Sequence, residues 1–271
     1  MEKKLAEGHT FILGDWMGGS SIQNNVPKSF VAEMHLLKAY DVTALAYRVA
    51  GRADHPWEEK RGALRRALAE KYLDASGAAV VAEQTVIAML LEMGVGENRE
   101  ALARQLVALV EASGYQLCSG MVGIQYIYHA LSGIGQGDLA YRLLVESDPG
   151  YRSWFEKGET TLWEMWNGEN KGSHNHHMFS GVIAWFFRAL LGITPCEDAP
   201  GFERIELRPC FVGALGFARC SMQTVRGIVE AEWTYENGGF TYTVTVPEGI
   251  CATYDGKPLT AGTHTFYVKE D

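Results

Sequence analysis

One carboxylate lies between two indoles in the segment Thr160-Thr161-Leu162-Trp163-Glu164-Met165-Trp166-Asn167-Gly168, and Ser173-His174-Asn175-His176-His177 follows shortly after. The Gly and Asn residues around it predict a loop rather than a long helix. Indole faces stack on the apolar C–H face of a sugar ring, and a carboxylate beside them can take a proton from water. The pattern therefore indicates carbohydrate chemistry. The alternative is a packed aromatic corner with Glu164 as a surface residue.

Hydrolysis of a glycosidic bond uses two carboxyl groups, one to protonate the leaving oxygen and one to assist on the other side. Glu164 is the leading candidate. Asp15 and Glu159 are further acids in aromatic or Gly-rich loops, although Glu159 could equally be a solvated loop residue. Asp15 precedes Trp16 in a Gly-rich loop over residues 13–20, which suits either a platform for sugar or a helix-capping loop.

The three histidines of the second segment, His174, His176 and His177, could present two imidazoles to one metal ion. No matching third cluster of ligands exists, and neutral His often hydrogen-bonds a sugar hydroxyl. Phosphate-binding loops with Gly-x-x-x-x-Gly-Lys or Gly-x-Gly-x-x-Gly are absent from the sequence as well. We therefore predict no metal and no cofactor.

Charge and cysteine content restrict the partners and the compartment. The formal net charge of −9 argues against binding nucleic acid or an anionic membrane through a basic face. The five cysteines are scattered and odd in number, which is typical of reduced thiols in a cytosol. The N-terminus shows no apolar signal-peptide core, and no apolar run approaches the length of a membrane span. We expect a cytoplasmic protein.

Residues 1–195 are predicted to be helical. Apolar residues recur at helical spacing in roughly seven segments joined by short Gly-rich loops: 27–51, from Asp54 to Tyr72, 78–93, 97–113, 121–133, 138–146 and 179–191. A bundle, a solenoid and an α/α toroid all fit this alternation. We favour a partial α/α toroid, because loops with Trp, Asp, Glu and His recur at alternate connections and would gather at one end.

The spacing of apolar residues changes after Pro195, so residues 196–271 are predicted to form a separate, small antiparallel β-sandwich. Apolar residues alternate with polar ones from Phe202 onward, as half-buried strands require. Asn237-Gly238 and Asp255-Gly256 are strong hairpin signals, since both pairs accept the positive φ angles of a type I′ turn. The expected role of this domain is to support the helical one.

Four pieces in this order resemble the bacterial α-L-rhamnosidases of glycoside hydrolase family 78. They are Gly14-Asp15-Trp16 followed by Pro27, then Ser119-Gly120-Met121-Val122-Gly123 with Ala130-Leu131-Ser132, the block Thr160–Trp166 with Ser173, Asn175 and His176, and Ala199-Pro200-Gly201-Phe202-Glu203-Arg204-Ile205 with Arg208-Pro209. The third piece is the most specific, and together they span nearly the whole chain. The resemblance implies a six-hairpin toroid and an inverting mechanism on terminal α-linked rhamnose of plant glycosides or oligosaccharides.

The resemblance also implies roles for individual residues. Glu164 matches the general base that activates water, Trp16 an aromatic wall of the rhamnose subsite, and His176 a residue that hydrogen-bonds the sugar. Asp15 is grouped with the substrate-binding residues. Trp163 and Trp166 support the Glu164 loop, and which of the two contacts sugar stays open.

One departure from the family concerns the general acid, which in the family lies in an acidic block well before the Gly-Asp-Trp loop. This chain begins a few residues before that loop, so we expect the acid, with half of the toroid, to come from a missing N-terminal half, and activity of these residues alone to be weak or nil. Two alternatives stay open: a non-catalytic carbohydrate-binding remnant, and an α/α-toroid glycosidase of another specificity.

Overall fold

The structure, a computed structural model, describes residue 7 and residues 14–17 and 22–269. The predicted Gly-rich loop over 13–20 is thus described only at its centre, and the N-terminal residues behind the signal-peptide prediction lie outside. The chain divides into two compact units, one ending at Val182 and the other beginning at Ile183.

The first unit is helical. Its described helices are α1 (Lys28–Val49), α2 (Trp57–Tyr72), α3 (Gln84–Glu92), α4 (Arg99–Ala112), α5 (Ile127–Gly133), α6 (Gly137–Glu146) and α7 (Tyr151–Glu156). Pro27 precedes α1 with φ −62°, a value its ring fixes and a helix start requires. Asn98 caps α4 by accepting a hydrogen bond from the Ala101 N–H at 3.2 Å. An eighth helix, α8 (Gly181–Trp185), continues as a π-helical turn over Phe186–Leu190.

Successive helices pack in pairs, α1 with α2, α3 with α4, and α5 with α6. Helix α3 also packs against α5, and its residues 84–91 are all buried. Because α3 is apolar on every side, it must be enclosed by neighbours, whereas α2 buries only Leu68 and Tyr72. This paired arrangement is the partial α/α toroid that the alternation of helices and Gly-rich loops predicts.

Several helix boundaries differ from the predictions. The segment 78–93 becomes helical only at Gln84, and the segment 121–133 opens with a short 3₁₀ turn, Gly123–Gln125, before α5 begins. Helix α7 was not predicted, because it has six residues and follows the turn at Pro149 and Gly150. The segment predicted from Asp54 to Tyr72 begins as a helix at Trp57, directly after Pro56, and ends at Tyr72 as predicted.

The second unit contains two four-stranded sheets in residues 183–269. Its strands are β1 (Ile193–Pro195), β2 (Arg204–Leu207), β3 (Phe217–Thr224), β4 (Gly227–Glu236), β5 (Gly239–Val246), β6 (Cys251–Tyr254), β7 (Lys257–Leu259) and β8 (Gly262–Lys269). One sheet has the order β1-β2-β6-β7 and the other β3-β4-β5-β8. Trp233 and Tyr242 lie in its core, and their side chains donate hydrogen bonds to the carbonyls of Leu190 and Leu191.

Both predicted hairpins are confirmed. Asn237 and Gly238 join β4 to β5 with φ of 55° and 75°, and Asp255 and Gly256 join β6 to β7 with φ of 48° and 70°. One pairing departs from a wholly antiparallel arrangement, because β2 pairs with β6 in parallel. These two strands are far apart in sequence, so no turn signal marks their pairing. No described helix combines the length and the apolar character that crossing a bilayer requires.

Candidate active site

Glu164 is held in a tight loop that folds back on itself. Its N–H donates to the carbonyl of Ser173 and its carboxylate Oε2 accepts from the Ser173 N–H, both at 2.9 Å. Two residues before, the Leu162 carbonyl accepts from the His176 N–H at 2.8 Å. These hydrogen bonds join the segment 162–164 to the segment 173–176, so the backbones of Glu164 and His176 are held next to each other.

A stack of aromatic rings packs beneath this loop and supports it. Trp166 stacks on Trp154 with ring centroids 4.7 Å apart and on Phe179 at 4.2 Å. The Trp154 indole N–H donates to the Trp166 carbonyl at 3.2 Å. Burial raises the pKa of Tyr151 well above its usual value, so its phenol keeps its proton and donates to the Phe179 carbonyl at 2.5 Å.

Trp163 is covered by His174, whose ring lies parallel to it with centroids 4.1 Å apart. The His174 Nε2–H donates to the Gly168 carbonyl at 2.8 Å, which fixes the orientation of the imidazole. Trp163 and Trp166 are each only 1% exposed. Neither indole therefore offers a free face to a sugar, so this geometry supports the predicted role of both in holding the loop and offers no support for a sugar contact by either.

The Glu164 carboxylate is half-buried and has an open side. Ser173 is the hydrogen-bond partner of Oε2, whereas no group in the described residues bonds to Oε1. Gly172 approaches closely, since a Cβ on it would stand 3.1 Å from Glu164 Oε2. This glycine also has φ +76°, a conformation that favours glycine, and any side chain on it would press on the carboxylate. The unbonded Oε1 is free to accept a hydrogen bond from water.

His176 is half-buried and presents a defined tautomer. Its Nδ1 accepts a hydrogen bond from the Met178 N–H at 3.1 Å, so in the neutral imidazole Nε2 carries the proton. The ring is parallel to that of His177, with centroids 5.3 Å apart. A neutral His176 can therefore donate through Nε2 to a hydroxyl.

Asp15 lies in the interior, only 5% exposed, and its carboxylate is fully occupied by the protein. The Oδ1 atom accepts from two backbone N–H groups and Oδ2 accepts from a backbone N–H, a hydroxyl and a side-chain amide: Val122, Gly123, Gly120, Thr85 and Asn24. The three N–H bonds measure 2.8–2.9 Å. The sequence prediction groups Asp15 with the substrate-binding residues, but this carboxylate has no exposed oxygen for a sugar hydroxyl.

Trp16 is half-buried, unlike its acidic neighbour, so part of its surface is accessible. Its carbonyl accepts from the Met121 N–H at 2.8 Å, which joins its loop to the turn at Gly120. The far side of that turn meets the end of the Glu164 loop, because a Cβ on Gly181 would lie 3.1 Å from Gln125 and Ile124. Within residues 14–17 and 22–269, no hydrogen bond or ring contact links Trp16 directly to Glu164 or His176.

The described part of the chain contains no group of three or more His, Cys, Asp or Glu side chains placed to hold a metal ion.

The sequence did not predict two contacts within the Glu164 loop. His174 covers Trp163, and Gly172 lies beside the Glu164 carboxylate. Their residue types carry no signal for such contacts, which depend on how the loop closes.

Comparison with known proteins matches both units. The profile of the bacterial α-L-rhamnosidase six-hairpin glycosidase domain matches residues 1–190, and that of the bacterial α-L-rhamnosidase C-terminal domain matches residues 192–254. An α-L-rhamnosidase of Streptomyces avermitilis is 28% identical over 253 residues, covering 88% of this chain and 24% of that protein. One from Alteromonas is 29% identical over 214 residues, covering 73% of this chain and 23% of that protein.

Solved structures agree with these matches. The crystal structure of the Streptomyces avermitilis α-L-rhamnosidase complexed with L-rhamnose superposes with a TM-score of 0.84 and 26% identity over 95% of this chain and 28% of that one. The α-L-rhamnosidase of Aspergillus terreus has the same TM-score, 0.84, at 23% identity, which supports the fold alone. The chain spans about a quarter of the length of the curated relatives it matches. Because one profile alone covers residues 1–190 of the 271, the chain belongs to the bacterial α-L-rhamnosidase family of glycoside hydrolases.

Proposed function

We propose that this chain forms the part of an inverting α-L-rhamnosidase that carries the general base, Glu164, and two rhamnose-binding residues, Trp16 and His176. The substrate is a terminal α-linked rhamnose on a plant glycoside or oligosaccharide. The observation that carries the proposal is the geometry of Glu164, whose Oε2 is fixed by the Ser173 N–H while Oε1 has no partner in the described residues. A base must be oriented by the protein and still have an oxygen free for water.

In this mechanism Glu164 Oε1 removes a proton from a water molecule as that water attacks the anomeric carbon. The attack comes from the face opposite the leaving oxygen, so the configuration at that carbon inverts. An inverting pair of carboxyl groups stands about 6.5–9.5 Å apart to admit the water between them. The hydrogen bonds between segments 162–164 and 173–176 hold the backbone of the base in one position.

The remaining residues bind rather than react. The accessible part of Trp16 forms an apolar wall for the methyl group and C–H faces of rhamnose, and the protonated Nε2 of His176 donates to a sugar hydroxyl. Trp163 and Trp166 hold the loop from below. A solved relative binds L-rhamnose, which supports the choice of sugar.

The general acid is proposed to come from the three quarters of the relatives' length that this chain does not match. Loss of a general acid typically costs about 10²–10⁴-fold in rate. That cost depends on the leaving group, because a para-nitrophenolate leaves readily without being protonated and an alkoxide does not. The 271 residues alone should therefore hydrolyse an aryl rhamnoside slowly and an alkyl rhamnoside not measurably.

The test compares para-nitrophenyl and methyl α-L-rhamnosides with the purified chain and with Glu164→Gln. We expect slow release of para-nitrophenol by the wild type, β-L-rhamnose as the first product in proton NMR, and loss of the activity in Glu164→Gln. Glu169→Gln is the matched control, because Glu169 lies in the same loop but is exposed and paired with Lys157, and it should retain the wild-type rate.

Other outcomes point elsewhere. If L-rhamnose binds by calorimetry but neither rhamnoside is ever cleaved, even with the N-terminal part of a relative added, the chain is a carbohydrate-binding remnant. If a different aryl glycoside is cleaved faster than the rhamnoside, the chain serves a toroid glycosidase of another specificity. Equal activity of Glu164→Gln and wild type would remove Glu164 from the mechanism.

We also propose that the protein works in a reducing, cytoplasmic setting, on the strength of its cysteines. All five are free thiols. Burial raises the pKa of Cys118 above its usual value and that of Cys220 to about 11, so both stay protonated and poorly reactive. Mass spectrometry of protein purified without reductant should find five free thiols.

A further inference from the structure

The five hydrogen bonds to Asp15 raise the question of what a buried carboxylate does in a loop beside a sugar-binding indole. A carboxylate taken out of water is costly unless donors replace the water. Here all the donors given by the described residues are neutral, namely three backbone N–H groups, the Thr85 hydroxyl and the Asn24 amide. The arrangement satisfies the charge, but it leaves none of it for a ligand.

Three of these donors belong to one turn. The N–H groups of Gly120, Val122 and Gly123 converge on the carboxylate, so an acceptor at this point stabilises the conformation of the turn. The same turn also holds the backbone of Trp16, the residue after Asp15, because the Met121 N–H donates to the Trp16 carbonyl. A Cβ on Gly120 would stand only 2.2 Å from that carbonyl oxygen. Asp15 and the turn therefore clamp Trp16 on both sides of its peptide.

The turn continues into the part of the helical unit that carries the Glu164 loop. Gly123–Gln125 forms the 3₁₀ turn before α5, and Gln125 and Ile124 pack directly against Gly181, where α8 begins. Gly181 follows the Glu164 loop after a short turn in which the Ser180 N–H donates to the His177 carbonyl. One continuous set of contacts thus runs from Asp15 through the turn to the end of the catalytic loop.

From this we infer that Asp15 is a positioning residue: its carboxylate gathers the 120–123 turn and thereby fixes the Trp16 indole relative to Glu164 and His176. The inference rests on the proposed function for what Trp16 contacts, but not for how Trp16 is held. It replaces a direct sugar contact by Asp15 with an action through its neighbour. A misplacement of about 1 Å in an active site can cost on the order of 10²-fold in rate, so a residue that only positions another can still have a large effect.

The test is fluorine NMR on the chain with its seven Trp residues replaced by fluorotryptophan. The Trp16 signal is assigned by its loss in Trp16→Phe. In Asp15→Asn we expect the Trp16 signal to shift or broaden while the signals of buried indoles such as Trp163 and Trp233 stay in place. The matched control is Gln84→Met. Gln84 is also buried, at 2% exposure, and is hydrogen-bonded to Cys118 and Gln116, but its side chain donates no hydrogen bond to the Asp15 carboxylate.

L-rhamnose affinity, measured by calorimetry on the same proteins, is expected to fall about tenfold or more in Asp15→Asn and to stay within about twofold of wild type in Gln84→Met. If the wild type binds no rhamnose, the proposed function fails, while the Trp16 signal still tests the positioning. If rhamnose binds the wild type but Asp15→Asn folds with an unmoved Trp16 signal, the positioning role is overturned.

An equal shift of the Trp16 signal in Gln84→Met would also overturn it, because the effect would then be general to the buried polar groups of this region. Should Asp15→Asn fail to fold, Thr85→Val removes a single donor to the same carboxylate and decides the matter. A change confined to the Trp16 signal in Thr85→Val supports the role, and an unchanged spectrum contradicts it.

Discussion

The helical unit holds two carboxylates in loops next to indoles, and it treats them in opposite ways. Asp15 is enclosed and accepts five hydrogen bonds, whereas Glu164 is half-buried and accepts one, from Ser173. Asp15 precedes Trp16 and Glu164 follows Trp163, so the sequence alone offers both as candidate site carboxylates. The difference lies in the acceptor capacity that the protein leaves unused.

This contrast separates two uses of a negative charge. A carboxylate whose lone pairs are all taken organises backbone, because moving it would break every bond at once. A carboxylate that is fixed through one oxygen and open at the other can exchange a proton with water. Under the proposed function, the number of donors around each carboxylate should separate the residue that supports the site from the one that reacts in it.

The largest expected effect is the difference between the two carboxylates in their contribution to the free energy of unfolding. Asp15→Ala should lower the free energy of unfolding by about 4 kcal/mol, because several buried donors lose their acceptor together. Glu164→Ala should lower it by less than about 1 kcal/mol, since a half-exposed group leaves one N–H that water can reach. Urea unfolding followed by circular dichroism measures both. Similar losses in the two variants would mean that donor count does not separate the roles.

The next effect concerns the base of the Glu164 loop. His174→Ala removes a ring stacked on Trp163 and a hydrogen bond to the Gly168 carbonyl, so we expect a loss of about 2 kcal/mol. Hydrogen exchange at the Ser173 and His176 amides should accelerate at the same time. His177→Ala is the control, because His177 is exposed and only its stacking on His176 is lost. Unchanged amide exchange in His174→Ala would show that the loop closes without this histidine.

A smaller effect concerns the space beside Glu164 Oε2, the carboxylate oxygen that Ser173 holds. Gly172→Ala and Gly158→Ala both place a side chain at positive φ, +76° and +74°, which costs about 1 kcal/mol or slightly more in each case. Only the Cβ of Gly172→Ala meets the Glu164 carboxylate, whereas Gly158 has nothing within 4 Å. The two variants should therefore have similar melting temperatures, but Gly172→Ala alone should lose aryl rhamnoside hydrolysis. Equal activities would place the carboxylate farther from Gly172 during the reaction.

The smallest effect comes from a carboxylate at the surface. Arg142 donates to Glu146 at 2.9 Å and lowers the pKa of that carboxyl. Because the folded pKa lies below the ordinary value of about 4.3, the pair contributes stability above that value and loses it as the pH falls through the lowered pKa. Glu146→Gln should thus lower the melting temperature slightly at neutral pH and not at all in strong acid. A constant difference at every pH would argue against the ion pair as the cause.

The sequence was most informative where structure depends on neighbouring residues. Asn237-Gly238 and Asp255-Gly256 specify their hairpins because only a few residue types accept two consecutive positive φ angles. Pro27 and Pro56 mark helix starts for a similarly local reason. The Glu164 segment stands out because its residue types are rare in combination.

Long-range contacts were not predictable in the same way. The parallel pairing of β2 with β6 joins strands separated by three others, and no local signal encodes it. The burial of Trp163 and Trp166 depends on Trp154, Phe179 and the cover of His174. The enclosure of Asp15 is the clearest case, because the residues Gly-Asp-Trp give no indication of whether the carboxylate faces solvent or the interior.

The Asp15 cluster also has a consequence for the order in which the molecule assembles. Its carboxylate is separated by 70 residues from Thr85 and by 105, 107 and 108 residues from its backbone donors. Closing loops of that length is slow compared with forming single helices. A nascent chain must therefore emerge as far as Gly123 before all the donors can reach Asp15 and fix the backbone of Trp16, so this part of the helical unit should form late during folding.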